Sequence, residues 1–466
     1  MGSGPNGLAA ALTLARAGLA VEVYERAGTA GGGCRTEELT LPGFAHDVCS
    51  AIHPLLAASP FFARRPLAGI RLRTPAVAFA HPLDGGRAAS ISGSVADTAR
   101  SLGVDGPAYE RLLGPLVERA DRIVPAALAP LTTLPRFPLA MAQFGVRGVW
   151  PMSLIARHFQ TAEGRALLAG AAAHSMAPLS APLTGAFGLL LMMLAHRVGW
   201  PLVEGGSQRI ADALVSELGA TGSPVHTGHP IAGLGELPRA RTKLLDTSAR
   251  GLVELAGDRL TPRQQAQLRA FRYGPGACKV DWALSGPVPW QAAACRATAT
   301  IHVGGTFEEV ASSEADVDAG RHPERPFTIV VQPSLFDPSR APAGKHTGWA
   351  YCHVPAGSTL DRTEVIERQI ERFAPGFRER ILARHVMNTG DLEQYNANYV
   401  GGAITGGVTD LRQLFTRPVA RVNPYSTPNP DLFICSASTP PGGGVHGMCG
   451  YHAARSALRR LAGAAV

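Results

Sequence analysis

The sequence opens Met1-Gly2-Ser3-Gly4-Pro5-Asn6-Gly7, and this glycine spacing constrains the chain more than any other feature. Such glycines let the backbone turn tightly and approach a pyrophosphate, whose charge meets unpaired N–H groups at the start of the next helix. A glycine triplet alone says little, so the residues that follow must supply its context. Leu8, Ala11, Leu12 and Ala15 share one face at helical spacing, Gly18 is placed to stop that helix, and Leu19 to Tyr24 reads as a strand. Glu25 closes the strand roughly 20 residues past the glycines, where a carboxylate accepts from the ribose hydroxyls of an adenosine. Gly2, Ser3, Gly4, Pro5, Asn6, Gly7, Glu25 and Arg26 are therefore expected to hold a dinucleotide. The carboxylate disfavours a 2′-phosphate, which ranks FAD and NAD above NADP. In a doubly wound fold a central strand, buried on both faces, precedes such a loop. Only Met1 stands in its place, so this strand reads as missing and the natural start is expected upstream.

With 466 residues, 45% of them hydrophobic, the chain can bury a large core and is too long for one simple domain. Lys243, Lys279 and Lys345 are its only lysines, so the formal charge of +8 is carried almost wholly by arginine. No basic run carries interleaved aromatics, and a nucleic-acid partner is not expected. The seven cysteines, Cys34, Cys49, Cys278, Cys295, Cys352, Cys435 and Cys449, form no C-x-x-C pair. That spacing supports neither a redox-active disulfide nor a zinc site, and it fits a reducing cytoplasm. The apolar run Ala186 to Ala195 is too short to span a bilayer and reads as a buried helix, able to line an apolar tunnel.

Nucleotide-binding signals occur in three separated places. They suggest a discontinuous cofactor domain from residues 1–75, 201–261 and 425–466, with a substrate domain inserted from 76–200 and 262–424. The second segment contains Glu204-Gly205-Gly206-Ser207, a helical pattern Ile210, Leu214, Leu218, and an extended run from Val225 to Leu234. In the inserted part, Lys279–Leu284, Phe327–Gln332 and Gly348–Val354 read as strands. The fold class expected is α/β, a Rossmann-like FAD-binding domain with an inserted α+β substrate domain and the active site between them.

Asp431 to Ala437 reads as a strand, followed by Ser438-Thr439-Pro440-Pro441-Gly442-Gly443-Gly444-Val445-His446-Gly447-Met448 and a helix with Tyr451, Ala454, Leu458 and Leu461 on one face. This segment resembles the flavin-binding signature of the phytoene desaturase-related FAD oxidoreductases, in the amine oxidase-like superfamily. With Gly31-Gly32-Gly33-Cys34-Arg35-Thr36, Pro42-Gly43-Phe44 and Asn398-Tyr399-Val400-Gly401-Gly402, the chain most resembles the branch named for pyridine nucleotide-disulfide oxidoreductase domain-containing protein 2. The resemblance covers nearly the whole chain. It implies that FAD is the cofactor, that Ala437, Ser438, Gly444, Val445, Gly447 and Met448 line the flavin, and that Ile231 meets the adenine. Gly32, Gly33, Arg35 and Thr36 complete the implied set. Two positions depart from the pattern: Gly33 stands where the superfamily has arginine, with Arg35 nearby to compensate, and Phe44-Ala45-His46-Asp47-Val48-Cys49 lacks the glycine of F-D-x-G.

Flavin carries out hydride transfer itself, so the protein must hold a substrate C–H bond over the ring and exclude water. His446 is the candidate for proton handling, equally readable as a residue filling a tight turn. Tyr395 and Tyr399 read as packing or as a wall near the ring, and Lys279 as a surface lysine at a strand end or, as the resemblance to amine oxidases allows, as one that reaches the flavin through a water. His346 and His353 flank Tyr351 without carboxylates at metal spacing, so no metal is assigned. These readings give an FAD-dependent oxidoreductase that desaturates or otherwise oxidises a small apolar, isoprenoid-like substrate drawn from a membrane surface, the protein being cytoplasmic with peripheral membrane contact. A flavin-dependent isomerase, an amine oxidase, and a flavin-stabilised binding or regulatory protein are the alternatives. Substrate, electron acceptor and oligomeric state are not readable.

Overall fold

The glycine loop does start a helix. Pro5 occupies the first turn of α1 (Pro5–Ala15), where its missing N–H leaves no bond unmade. The computed structural model describes residues 1–64 and 66–463. Residue 65, within the expected 1–75 segment, and residues 464–466, at the end of the expected 425–466 segment, lie outside the described residues.

After α1 come strand β1 (Val23–Tyr24), hairpin strands β2 (Val77–Leu83) and β3 (Arg87–Ser92), and helices α2 (Pro138–Gly148), α3 (Ala162–Ala173), α4 (Thr184–Val198) and α5 (Gln208–Gly219). Strands β4 (Val225–His226), β5 (Lys243–Leu245), β6 (Gly276–Leu284), β7 (Thr300–Val303), β8 (Thr328–Val331), β9 (His346–Val354), β10 (Ile381–Met387) and β11 (Leu432–Ile434) follow, and helix α6 (Met448–Gly463) comes last.

Two sheets organise these elements. The first is parallel and built from short pieces of distant sequence: β1 pairs with β4, and β5 with β11. Met1 and Gly2 join the halves, because the Met1 carbonyl accepts the Asp246 N–H at 2.8 Å and the Gly2 N–H donates to the Tyr24 carbonyl at 2.8 Å. Helix α1 is buried almost all round, including Ala9, Ala10 and Leu14 off its expected face, since α6 covers that side through Ala453 and Ala454. This is an N-terminal Rossmann-like nucleotide-binding fold followed by further α/β structure.

The second sheet has seven strands in the order β10-β6-β9-β8-β7-β2-β3, antiparallel except where β7 meets β2. In β6, all nine residues are buried. Helices α3 and α4 pack against each other beside this sheet, and α4 buries Leu189, Leu191, Met192, Met193 and Leu194, as its apolar run predicts. No helix among the described residues is long and apolar enough to cross a membrane.

Three strands are shorter than the sequence suggests: of the run 431–437 only Leu432–Ile434 forms strand, paired with β5. Residues 19–22 do not pair, and of the run 225–234 only Val225 and His226 do. Pro230 has no N–H for a ladder. The preceding turn instead bonds back to the β1 loop, with Gly228 N–H to the Ala27 carbonyl and His229 N–H to the Glu25 carbonyl, both at 2.8 Å.

Candidate functional site

The loop between Gly2 and α1 is tight enough that a side chain on Gly7 would put its Cβ 2.2 Å from the Gly2 carbonyl oxygen. Glu25, at the end of β1, faces this loop: one carboxylate oxygen accepts the Ser3 N–H at 2.8 Å and the Ser3 hydroxyl at 2.7 Å, and the other accepts the Ala27 N–H at 2.8 Å. A carboxylate can accept about four bonds, so Glu25 keeps capacity for a ligand hydroxyl. Asp246, just after β5, was not singled out from the sequence. Its Oδ2 accepts the Gly7 N–H at 2.9 Å, and burial pushes its carboxyl up to about 6.

One cavity of about 700 Å³ starts here and runs to the seven-stranded sheet. Gly2, Gly4, Pro5, Asn6, Glu25 and Arg26 line its nucleotide end, together with Ile231 and Asp246. Gly32, Gly33 and Arg35 line the adjoining wall. The Arg35 guanidinium donates to the Thr29 carbonyl at 3.0 and 3.2 Å, lies 3.6 Å from Glu25 and stacks over Tyr395. Gly33 faces Tyr399, whose hydroxyl would be 2.3 Å from an added Cβ, which explains a glycine where the resembling family carries arginine. Ser3, Gly7 and Thr36 do not line the cavity. Thr36 is instead structural, donating to Asp47 at 2.7 Å and accepting the Gln208 N–H at 3.1 Å.

Asp47 ties three segments together. It accepts the Ser207 N–H at 2.8 Å and pairs with the buried Arg340 at 2.7 Å, while Asp337 accepts the Gly205 N–H at 2.7 Å. Burial, the largest single influence, would raise the Asp47 carboxyl, but the Arg340 charge together with the hydrogen bonds from Arg340, Ser207 and Thr36 holds the group below its usual range. The Glu204–Ser207 turn is thus clamped to the loop that lacks the expected glycine.

The C-terminal segment supplies Ala437, Ser438, Gly444 and Val445 to the same cavity. Gly447 and Met448 lie just beyond it, at the start of α6. His446 does not line the cavity: its Nδ1 accepts the Met448 N–H at 3.0 Å, its carbonyl accepts from Ser59 at 2.6 Å, and its Nε2 is buried without a partner. Burial lowers this imidazole to about 4, so it is a neutral turn residue.

The far end of the cavity is lined by Phe187 and Leu191 of α4, Trp200, Thr300, Ile329, Val331, Trp349, Tyr351 and His174. No carboxylate or cation stands among them. The lining carboxylates are Glu25, Asp246 and Glu254, all belonging to the nucleotide-binding part. His174 bonds through Nε2 to Nε2 of His302 at 2.9 Å, and burial brings His174 down to about 3. Its Nδ1 has no hydrogen-bond partner among the described residues. Sequence reasoning passed over His174 because its partner is 128 residues away.

Lys279 is not at the surface. The β6–β9 register sets it opposite Tyr351 and sets Asp281 opposite Trp349, on one sheet face. Its ammonium is buried, bonds both Asp281 oxygens and sits 5.1 Å above the Trp349 ring. Burial, the largest single influence, would raise the Asp281 carboxyl, but Lys279 together with His385 and His46 holds the group below its usual range. His353 likewise has a carboxylate partner unseen in the sequence, Glu314 at 2.8 Å. No cluster able to hold a metal occurs among the described residues.

Glycine loop, the Glu25 carboxylate facing it and a cavity between two sheets define a Rossmann-like nucleotide-binding fold. Residues 1–63 match the family model described as an NAD(P)-binding Rossmann-like domain. The chain is similar to pyridine nucleotide-disulfide oxidoreductase domain-containing protein 2 of Rattus norvegicus, at 25% identity over 99% of this chain and 93% of the relative. Its fold is that of an oxidoreductase from Methanosarcina mazei (TM-score 0.65, 17% identity, 98% of each chain). It is also that of putrescine oxidase solved with bound putrescine (TM-score 0.63, 17% identity, 99% of this chain and 98% of that one). The chain therefore shares the fold of these two solved structures and is distantly similar to the Rattus norvegicus protein.

Proposed function

We propose that this protein is an FAD-dependent oxidoreductase acting on a neutral, largely apolar substrate, by desaturation or a related C–H oxidation. The observation that carries this reading is the single cavity joining the glycine loop to an aromatic end without charged side chains. FAD suits the residues present. The loop and Glu25 offer donors and an acceptor to the adenosine diphosphate half, Ile231 borders that end, and Gly444 and Val445 leave room for a flat ring. When bound, FAD supplies the hydride acceptor.

The chain's own residues do the rest. Trp349, Tyr351, Ile329 and Val331 give the substrate an apolar wall that excludes water. His174 and His53 are the imidazoles near that end, His53 lying beside Trp200 through its N–H bond to the Pro201 carbonyl, and His174 Nδ1 can hold a substrate oxygen while Nε2 stays engaged with His302. The missing carboxylate favours a neutral substrate over an ammonium such as putrescine carries.

The test is anaerobic. Purified protein is expected to show a flavin spectrum that bleaches with neutral apolar alcohols or alkenes, isoprenoids among them, and not with diamines. Folded protein without flavin, or bleaching by amines alone, overturns the reading.

A further inference from the structure

Of the large hydrophobic side chains exposed among the described residues, the densest group is Leu131, Leu134, Phe137, Leu139, Val146, Val149 and Trp150, all on α2 or its flanks. Leu134 is 93% exposed, Leu139 85% and Val146 68%. Helix α2 buries Ala140, Phe144 and Gly148 on its inner face, so it is already anchored. Its outer face, Leu139, Val146 and Val149, is apolar as well, which an ordinary surface helix is not. An exposed patch of this kind marks a surface that something covers.

The charges around it say what. From residue 122 to residue 162 the sequence holds no aspartate or glutamate but carries Arg122, Arg136, Arg147 and Arg157. None of these four makes a salt bridge among the described residues, and two of them, Arg122 and Arg136, lie 5.4 and 5.5 Å from the centre of the Phe137 ring. A covering partner must therefore bring apolar bulk and negative charge together. A second copy joined patch to patch would set these unpaired arginines against each other. An anionic bilayer meets both demands: the leucines and valines enter the acyl boundary, Trp150 and Phe137 sit at headgroup level, and the guanidinium groups meet phosphates.

We propose that α2 and its flanks form a docking surface for an anionic lipid bilayer. Gly148 of α2 packs directly on Ala186 of α4, and α4 turns Phe187 and Leu191 into the cavity. A docked protein would thus hold its apolar cavity one helix layer from the membrane. This last consequence rests on the proposed function, whereas the docking itself does not.

Flotation of the full chain with vesicles tests it. Phosphatidylcholine vesicles containing phosphatidylglycerol should carry the protein, and vesicles of phosphatidylcholine alone should carry it much less. The double variant Leu139→Glu, Val146→Glu should lose at least about tenfold in vesicle affinity. Arg136→Ala with Arg147→Ala should lose about fivefold per arginine, an effect that added salt reproduces in the wild type. Both variants should keep the wild-type unfolding midpoint, because the substituted side chains lie outside the core. Flavin content and turnover are read separately, so loss of the oxidoreductase reading leaves this test intact. The proposal is overturned by a wild type that ignores anionic vesicles, by a Glu variant that floats like the wild type, or by a wild-type dimer that the Glu variant converts to monomer.

Discussion

Asp246 Oδ2 accepts the Gly7 N–H at 2.9 Å, so a carboxylate already occupies one of the amides that begin α1. Those amides attract an anionic ligand. Burial, opposed by the Gly7 bond, raises Asp246 from 3.8 to about 6, with the nearby Glu25 adding to the rise. An acid raised on folding contributes stability that is fully present below pH 3.8 and lost as pH climbs through about 6. Asp246→Asn keeps an acceptor for Gly7 without the charge. The apo variant should be more stable than the wild type at pH 8 by on the order of 2–3 kcal/mol, the gap closing towards pH 4. Denaturant melts at both pH values measure this, and equal stability at pH 8 would remove the argument. Dinucleotide affinity of the wild type should likewise fall as pH rises through about 6, and that of the variant should stay flat.

Glu25 offers a cleaner test of the nucleotide end, because its Ser3 and Ala27 partners are backbone or hydroxyl donors that an amide can still satisfy in part. Glu25→Gln should fold and bind FAD about tenfold to a hundredfold more weakly, the cost of one charge-assisted hydrogen bond. Equilibrium titration of apo-protein gives the number. If affinity is unchanged, Glu25 serves only to brace the Ser3 turn.

The glycine loop, Glu25 and the C-terminal glycine segment were legible in the sequence because each needs special residues at short range. Their convergence on one cavity accounts for Gly2, Gly4, Glu25, Ile231, Gly444 and Val445 together. What stayed hidden depends on pairs far apart in the chain. Lys279 reads as exposed until the sheet brings Asp281 beneath it and Trp349 beside it. His174 has no signal without His302, and Arg340 none without Asp47. His446 misled for the opposite reason: it lies inside a strong local motif, but its ring turns away from the cavity. Strand ends failed where the turn at Gly228 bonds back to Ala27 instead of continuing the ladder past His226.

The Lys279–Asp281 pair makes a stability prediction with a built-in control. Removing one member of a buried pair strands the other's charge, which costs about 3–5 kcal/mol, whereas removing both is far milder. Lys279→Met should therefore lower unfolding stability strongly, and Lys279→Met with Asp281→Leu should recover most of the loss. His46, 3.5 Å from Asp281 and held at about 4 by burial, is too reluctant to ionise to replace the lysine near neutral pH. A double variant no more stable than the single would show that Lys279 acts by packing on Trp349 rather than by charge.

The His174–His302 pair tests the substrate end. Burial holds His174 near 3 and His302 well below its usual value, with the His353 charge opposing that of His174 and the His174 and His81 charges opposing that of His302. Neither His174 nor His302 is cationic near neutral pH, so flavin reduction by substrate should show no limb near pH 6.5 from this pair. His174→Gln retains a polar group of similar reach but cannot carry a proton through the ring. If His174 handles the substrate proton, this variant should bind flavin normally, change KM little and slow anaerobic flavin reduction by about a hundredfold. His302→Phe leaves His174 in the cavity but deprives Nε2 of its partner, so a positioning role for His302 predicts a smaller loss. Stopped-flow reduction of the two variants at several pH values separates these outcomes. A wild-type rate in His174→Gln would reduce His174 to a packing residue and leave the chemistry to the cofactor and the shape of the cavity.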